Sequence, residues 1–263
     1  MRALVSGGSS GIGAATSVRL AEAAIARGEE AMIAVCGHTS GPQQLEVVEA
    51  IRALGGTAVA LGGDLGDPAV PAELVASAVG EFGGLDALVA NAGIAKASAL
   101  TDVTLEDWDH MFSVNLRGAW LLAKASYPHL RNSEGAAVFT SSMSGQIPHA
   151  GSGAYSPTKA ALTLLAQTFA LEWAPDGIRV NVVSPGMTRT GMNTNLYADP
   201  EIKKGREAII PLGRIGQPVD IANVIEFLVS PLAGYVTGQD VCVDGGFSKS
   251  ILSHIPGRPS SKA

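Results

Sequence analysis

The stretch GAYSPTKAAL at residues 153–162 places a tyrosine and a lysine four positions apart. Residues at that spacing share one face of a helix, so Tyr155 and Lys159 are expected to be neighbours. A free phenol, with a pKa of about 10, is a poor base at neutral pH. An ammonium about 4 Å away would favour the phenolate by roughly 4 kcal/mol, or about three pKa units. The pair is therefore predicted to move a proton; the alternative is an exposed surface pair.

A second chemical feature is the glycine-rich stretch LVSGGSSGIGAAT, which follows a short apolar run and opens a longer amphipathic one. Its pattern is G-x-x-x-G-x-G. Gly7 allows a tight turn, Gly11 allows a pyrophosphate to approach the backbone, and Gly13 allows close packing of helix and strand. The helix would present free amides and a positive dipole end to phosphates. The stretch predicts a dinucleotide site, with a plain β–α turn as the alternative.

The elements that must position these residues are short apolar runs alternating with longer amphipathic ones. The predicted strands are RALVS, AMIAVCG, TAVALGG, LDALVANAG, AAVFTSS, IRVNVVSPG and QDVCVDGG. Helical candidates between them include Gly11–Arg27, Pro68–Phe82 and Leu105–Leu130. This alternation indicates an α/β fold with buried parallel strands. We expect a single doubly wound Rossmann-type domain of about seven parallel strands, with helices on both faces.

The predicted dinucleotide-binding and catalytic domain covers residues 1–247. Within it, residues 185–217 interrupt the strand–helix rhythm after a strand and are predicted to form a lid over the substrate. A plain surface loop is the alternative. Residues 248–263 form a C-terminal tail without the periodicity of a core element.

Composition narrows the class of protein. The chain has 263 residues, of which 46% are hydrophobic and 16% charged, and its net charge is −6. The absence of a basic block disfavours nucleic acid as a partner. The apolar runs are too short for a membrane span or a signal peptide. Cys36 and Cys242 are interpreted as buried thiols. We expect a cytoplasmic protein without a metal site.

The motifs together resemble the short-chain dehydrogenase/reductase family over about residues 3–247. They occur in the order of that family: SGGSSGIG at 6–13, GDL at 63–65, NAG at 91–93, VNLRG around Asn115, SSMSG at 141–145, YSPTK at 155–159 and SPGMTRT at 184–190. The glycine pattern is similar to that of the ordinary short branch, which includes 3-oxoacyl-acyl-carrier-protein reductases. A single motif would be weak evidence, but the ordered set makes the resemblance specific.

The resemblance implies a catalytic tetrad formed by Asn115, Ser142, Tyr155 and Lys159. In this tetrad Tyr155 exchanges a proton with the substrate oxygen. Ser142 donates a hydrogen bond to that oxygen as charge develops on it. Asn115 holds a water that links Lys159 to solvent; the alternative for Asn115 is a helix asparagine that bonds a neighbouring backbone.

The coenzyme preference is predicted from the end of the second strand. NAD-selective sites place a carboxylate about 20 residues beyond the glycines, where it binds the ribose 2′-hydroxyl. Here that position falls on Gly37, and the following His38, Thr39 and Ser40 offer hydrogen bonds to a 2′-phosphate. Neither His38 nor Ser10 is the arginine or lysine of a strong phosphate clamp. We expect NADP(H) to be preferred over NAD(H), with modest selectivity that strengthens toward about pH 6.

The predicted coenzyme contacts combine these arguments with the resemblance. They are Gly7, Ser9, Ser10, Gly11, Ile12, Gly13, His38, Thr39, Asp64, Leu65, Asn91, Ala92, Gly93, Tyr155, Lys159, Pro185, Gly186, Thr188 and Thr190. The family places its equivalents of Asp64 and Leu65 beside adenine, the NAG turn beside a ribose, and the segment from Pro185 beside the carboxamide. Ordinary β–α turn chemistry is the alternative for the turn residues.

Two classes of function remain open. One is an NAD(P)-dependent oxidoreductase that acts on a small-molecule ketone or secondary alcohol. The other is a catalytically silent dinucleotide-binding sensor or scaffold, which would have no need of the tetrad. The fold does not choose among thioester, sugar and xenobiotic substrates. The resemblance and the apolar segment IEFLVSPLAGYVTGQDVCVDGG favour a homo-oligomer, with a tetramer expected.

Overall fold

The structure is a computed structural model that describes residues 1–193 and 196–255. The end of the predicted tail, 256–263, and two positions of the predicted lid, 194–195, therefore lie outside it. The described strands form one parallel sheet of seven strands in the order β3-β2-β1-β4-β5-β6-β7. They are Arg2–Ser6 (β1), Met32–Gly37 (β2), Thr57–Gly62 (β3), Ala87–Ala90 (β4), Ala136–Thr140 (β5), Arg179–Pro185 (β6) and Asp240–Val243 (β7).

The α-helices cover both faces of this sheet. They are Gly11–Ala26 (α1), Pro42–Ala53 (α2), Val70–Phe82 (α3), Leu105–Phe112 (α4), Ala119–Ser133 (α5), Tyr155–Trp173 (α6), Pro200–Ile209 (α7) and Pro218–Val229 (α8). Strand side chains alternate between two cores. Leu4 packs with residues of α3, α5 and α6, whereas Val5 packs with residues of α1, α2 and α8. The predicted doubly wound fold is confirmed.

The strand order reverses at β1, because the chain moves from β1 to β2 and β3 on one side and then returns to β4 on the other. In open parallel sheets of this kind, ligands bind in the crevice at the carboxyl ends of the strands, next to such a reversal. The glycine-rich turn after β1 lies at this point. The topology therefore brings the two chemical features of the sequence to the same edge of the sheet.

Helix boundaries differ from the sequence prediction at several positions. Helix α1 ends at Ala26 instead of Arg27, and α5 extends to Ser133 instead of Leu130. The expected helix Leu105–Leu130 is interrupted by a π-helical turn at Ser113–Gly118, between α4 and α5. Helix α3 begins at Val70 because Asp67 forms a turn in which its side chain accepts a hydrogen bond from the Ala69 amide. Within the described ranges, no helix combines the length and the apolar character needed to cross a membrane.

Candidate active site

A cleft of about 460 Å³ opens at the carboxyl ends of β1, β2, β4, β5 and β6. Most of the predicted site residues line it: Gly7, Ser9, Ser10, Gly11, Ile12, His38, Leu65, Asn91, Ala92, Gly93, Ser142, Tyr155, Lys159, Pro185, Gly186, Thr188 and Thr190. Gly13, Thr39, Asp64 and Asn115 lie outside this lining. The fold therefore gathers segments that are far apart in the sequence around one cavity.

The glycine-rich turn forms one wall of the cleft. Gly7 has a φ of +64° and Gly11 a φ of +52°, in the left-handed region that favours glycine. A Cβ on Gly13 would lie 2.0 Å from the carbonyl oxygen of Gly7, so the packing predicted for this glycine is close enough to exclude any side chain. Helix α1 starts without a side-chain cap and without an acidic residue in its first turn. Its first amides therefore offer hydrogen bonds to an anion in the cleft.

Tyr155 is the first residue of α6 and is half-buried in the cleft. Pro157 therefore falls in the first turn of this helix, where an amide would have no helical acceptor, and the proline is accommodated at little cost. Ser142 follows β5, and its hydroxyl oxygen accepts a hydrogen bond of 3.1 Å from the Ser144 amide. The accepted bond leaves the Ser142 proton free to donate, and in this structure it is directed to the Tyr155 oxygen.

Burial raises the pKa of Tyr155 above its ordinary value of 10, while its hydrogen bond with the Ser142 hydroxyl acts in the opposite direction. The spacing of Tyr155 and Lys159 predicts a phenol pKa lowered by the lysine, and that prediction is wrong in direction. Desolvation of the phenolate is the larger of the two effects and sets the direction of the pKa shift. The phenol is therefore protonated at neutral pH.

Lys159 lies one turn after Tyr155 and is only 3% exposed. Its Nζ donates a 2.8 Å hydrogen bond to the carbonyl oxygen of Thr140, at the end of β5, and lies 5.8 Å from the centroid of the Tyr155 ring. Burial lowers the pKa of this lysine from 10.5 to about 8. The ammonium is thus held beneath the phenol ring. Its pKa of about 8 means that it loses its proton only slightly above neutral pH.

Asn115 lies in the π-helical turn and is completely buried. Its Oδ1 accepts a 2.8 Å bond from the Ile94 amide, and its Nδ2 donates to the Ile94 carbonyl oxygen at 2.9 Å and to Thr158 Oγ1 at 3.1 Å. A Cβ on Gly93 would lie 3.2 Å from Lys159 Nζ and 3.3 Å from Asn115 Oδ1. Gly93 therefore separates the two polar groups, and Asn115 fixes the loop that follows β4.

One end of the cleft lies at the ends of β2 and β3. Gly37 is the last residue of β2 and pairs with Gly62, so the strand ends where the sequence analysis placed it. His38 is exposed, and its Nδ1 lies 3.8 Å from Oδ1 of Asp64. Gly37 thus supplies no side chain at this strand end, and the Asp64 carboxylate, predicted to lie beside adenine, lies beside His38.

Several lining residues were not among the predicted contacts. Four of them lie inside the quoted motifs, namely Ser6, Gly63, Val114 and Ser141. Four lie one or two positions from a motif or a predicted contact, namely Cys36, Ile94, Thr140 and Gly191, whereas Leu74 and Asn193 lie further away. Ser6 ends β1, and its Oγ accepts hydrogen bonds of 3.0 Å and 3.1 Å from the amides of Asn91 and Ala92. The available signal was position, because residues at the carboxyl ends of adjacent parallel strands must meet.

The residues present fit a dinucleotide coenzyme. The glycine-rich turn and the uncapped start of α1 suit a pyrophosphate, and the apolar side chains of Leu65, Leu74 and Val114 suit an adenine ring. At the other end of the cleft, the Tyr155 and Ser142 hydroxyls face the cavity together. Such an arrangement can bind a carbonyl or hydroxyl oxygen and exchange a proton with it.

Comparison with known proteins supports this interpretation. Residues 7–248 match the protein family described as enoyl-(acyl carrier protein) reductase. The chain is 38% identical over 252 residues to 2,5-dichloro-2,5-cyclohexadiene-1,4-diol dehydrogenase of Sphingobium indicum, with 95% of this chain and 96% of the relative covered. It is 39% identical over 245 residues to L-rhamnose 1-dehydrogenase (NAD(P)(+)) of a Sphingomonas species, with coverage of 92% and 94%.

Solved structures show the same architecture. A short-chain dehydrogenase from Burkholderia cenocepacia in complex with NADP superimposes with a TM-score of 0.84 at 37% identity, covering 94% of this chain and 97% of the other. A short-chain type dehydrogenase/reductase from Mycobacterium marinum gives a TM-score of 0.85 at 33% identity, with coverage of 94% and 95%. Fold and sequence thus agree over nearly the whole chain.

Proposed function

The chain belongs to the short-chain dehydrogenase/reductase family, and we propose that it transfers a hydride between NADP(H) and a ketone or secondary alcohol. Its relatives show that it is an oxidoreductase of this family. The observation that supports the proposal is that the hydroxyls of Tyr155 and Ser142 line the same cleft as the glycine-rich turn. A silent dinucleotide sensor would not require these two hydroxyls beside its coenzyme site.

When bound, the nicotinamide donates or accepts the hydride. In reduction, Tyr155 Oη donates its proton to the carbonyl oxygen, and Ser142 Oγ donates a hydrogen bond to the same oxygen. In oxidation, Tyr155 first loses its own proton, and the resulting phenolate takes the proton from the substrate hydroxyl. The raised pKa of Tyr155 keeps the phenol protonated and favours the role of proton donor.

Lys159 and Asn115 support the proton transfer. The Lys159 ammonium lies beneath the phenol and stabilises the phenolate once the proton has left. Because its pKa is about 8, this lysine can itself return a proton near neutral pH. The Asn115 amide protons are both used by Ile94 and Thr158, so a water between Asn115 and Lys159 would bind the remaining lone pair of Oδ1.

The proposed preference for NADP(H) rests on the absence of a side chain at Gly37 and on the donors of the segment that follows it. Gly37 lines the cleft at the end of β2, so nothing there repels a 2′-phosphate. The Asp64 carboxylate near His38 opposes the preference because it also attracts the histidine. The selectivity we propose is therefore modest.

For the substrate, we propose an uncharged alcohol or ketone. Two polar side chains in the loops that follow β4 and β5 are already paired. Lys96 binds the Asp107 carboxylate at 2.7 and 2.8 Å. Gln146 is likewise bonded to Asp240 at 2.7 Å. Two relatives are named for a cyclohexadiene diol and for rhamnose, neither of which carries an ionised group. Residues 185–217, with α7, are proposed to form the lid over this substrate.

A panel of uncharged cyclic ketones, alcohols and sugars, assayed with both coenzymes, tests the proposal. We expect turnover that depends on NADPH or NADP⁺ and is lost in Tyr155→Phe, which keeps the ring and removes the proton. The loss should be about 10²–10⁴-fold, the usual contribution of general acid–base catalysis. The coenzyme affinity of the variant should be nearly that of the wild type. Residual turnover above about a tenth of wild type would refute the role of Tyr155 as proton donor.

A further inference from the structure

We propose that Asn193 is a positioning residue that holds the wall of the cleft after β6 in place for hydride transfer. The proposal rests on the proposed function, because the wall is argued to face the coenzyme and the substrate. Asn193 lines the cleft but belongs to none of the sequence motifs. Its contribution follows from the hydrogen bonds of the segment between Gly186 and Asn193.

One edge of this segment is bonded to the chain that leads into α8. The Gly216 amide donates to the Met187 carbonyl oxygen at 2.9 Å, and the Arg189 amide donates to the Gly216 carbonyl oxygen at 2.9 Å. These bonds form a parallel bridge between Thr188 and Gly216. In extended chain, peptide groups alternate in direction. The Thr188 carbonyl and the Thr190 amide therefore point to the opposite edge.

At that opposite edge, the Asn193 side chain takes the place of a neighbouring strand. Its Oδ1 accepts a 2.9 Å hydrogen bond from the Thr190 amide, and its Nδ2 donates a 2.7 Å bond to the Thr188 carbonyl oxygen. A carboxamide carries the same acceptor and donor as a peptide group, so it can satisfy both groups at once. The segment is thus fixed from both edges without a second strand.

The held segment faces the glycine-rich turn across the cleft. A Cβ on Gly11 would lie 3.5 Å from both Cβ and Cγ2 of Thr190, so the threonine packs close to the turn proposed to bind the pyrophosphate. Thr188 is 5% exposed and also lines the cavity. A shift of this wall would change the space available between the turn and Tyr155. Small displacements of positioning groups cost large factors in rate.

The alternative is that Asn193 only completes the local turn of residues 191–193. Its own amide donates to the Thr190 carbonyl oxygen at 3.1 Å, and that backbone bond survives replacement of the side chain. In that case kcat/KM would not depend on whether the side chain at position 193 can donate and accept hydrogen bonds. The two roles can be separated by an aspartate at this position, because a protonated carboxyl group can donate and accept, whereas a carboxylate can only accept.

The experiment compares Asn193→Asp and Asn193→Leu with the wild type between about pH 8 and about pH 5. At pH 8 the carboxylate loses the bond to the Thr188 carbonyl oxygen and repels it, so kcat/KM should fall at least about tenfold. The ratio of the aspartate variant to the wild type should then recover as the pH falls and the carboxyl group gains its proton. The leucine variant should stay low, by a constant factor, at every pH.

Asn132→Asp is the matched control, since it adds the same charge at an exposed position of α5. Its ratio to wild type should stay near one throughout the pH range. A wild-type kcat/KM in Asn193→Leu, or a ratio for Asn193→Asp that does not change with pH, would overturn the proposal.

Hydrogen exchange supplies a readout that does not depend on turnover. In Asn193→Leu, the Thr190 amide should exchange faster than in the wild type, whereas the Arg189 amide, bonded to Gly216, should change less. Unchanged exchange at Thr190 would contradict the proposed bond. If the wild type turned over no carbonyl or alcohol, the proposed function would fail, while exchange and NADPH binding by fluorescence would still decide whether Asn193 fixes the wall.

Discussion

At the scale of single residues, Lys159 differs from an ordinary surface lysine in its burial and in its pKa. Its ammonium is almost fully removed from water and has the Thr140 carbonyl oxygen as a hydrogen-bond acceptor. The fall of its pKa from 10.5 to about 8 corresponds to about 3 kcal/mol of destabilisation of the charged form. Strongly shifted pKa values of buried groups are enriched at functional sites, which supports the role proposed for Lys159.

The pH dependence of stability tests this interpretation through Lys159→Met. The lysine pKa is lower in the folded state, so the unfolded state binds more protons between about pH 8 and 10.5, and stability rises with pH in that window. Between about pH 7 and 9.5, the free energy of unfolding of the wild type should rise by about 2 kcal/mol relative to the variant. Denaturant titrations at one protein concentration measure the difference. A constant difference would contradict burial of the charge.

At the scale of secondary-structure elements, the sequence predicts strands better than it predicts the interruptions of helices. Each apolar run quoted for a strand contains one of the seven observed strands, because buried parallel strands are continuously apolar and end in small or polar residues. The π-helical turn around Asn115 has no such local signal. It coincides with a tertiary contact, the hydrogen bonds between Asn115 and Ile94.

In the candidate site, too, the sequence predicts features with a local signal and misses those that depend on tertiary contacts. Residues in motifs were found from the sequence because glycines, Tyr155 and Lys159 have fixed spacing along the chain. Asn193 was missed because its partners depend on the path of a loop. The direction of the Tyr155 pKa was also missed, since desolvation depends on the surrounding packing and cannot be derived from a spacing of four residues.

The end of β2 gives a prediction about coenzyme preference. Gly37→Asp should shift the ratio of kcat/KM for NADP(H) over NAD(H) at least about tenfold toward NAD(H), because a carboxylate accepts from the 2′-hydroxyl and repels the 2′-phosphate. A Cβ at this position would lie 3.2 Å from the Thr39 carbonyl oxygen and 3.4 Å from Ser9 Oγ, so the backbone must adjust slightly.

Gly37→Asn is the control for that adjustment, because it has the same size without the charge. Its coenzyme ratio should stay close to that of the wild type. If the asparagine variant shifts the ratio as far as the aspartate does, shape rather than charge sets the preference. If the wild type itself favours NADH tenfold, the missing carboxylate was overrated and Asp64 is the dominant group at the rim.

At the scale of the whole molecule, exposed apolar side chains lie on both faces of the sheet. On the face covered by α5 and α6 they include Trp120, Leu164 and Leu171. On the other side, α8 and the turn before β7 expose Phe227, Leu232 and Tyr235. β7 is also an edge strand, with backbone groups that need protection from unspecific pairing. Two separate apolar surfaces favour two different self-complementary contacts between copies of the chain.

Two different two-fold contacts combine into a tetramer, so light scattering should give four times the chain mass of 26.8 kDa. Leu164→Asp places a charge on the α6 surface and should leave dimers held by the α8 surface. Leu232→Asp should leave dimers held by the α5 and α6 surface, and the double variant should be a monomer, since each charge would have to be buried without a partner. Circular dichroism should show the fold unchanged in all three, because both leucines are exposed.

A wild-type mass of a single chain would reject the oligomer. Dimers in the wild type that only one of the two variants dissociates would reject the second contact and leave the first.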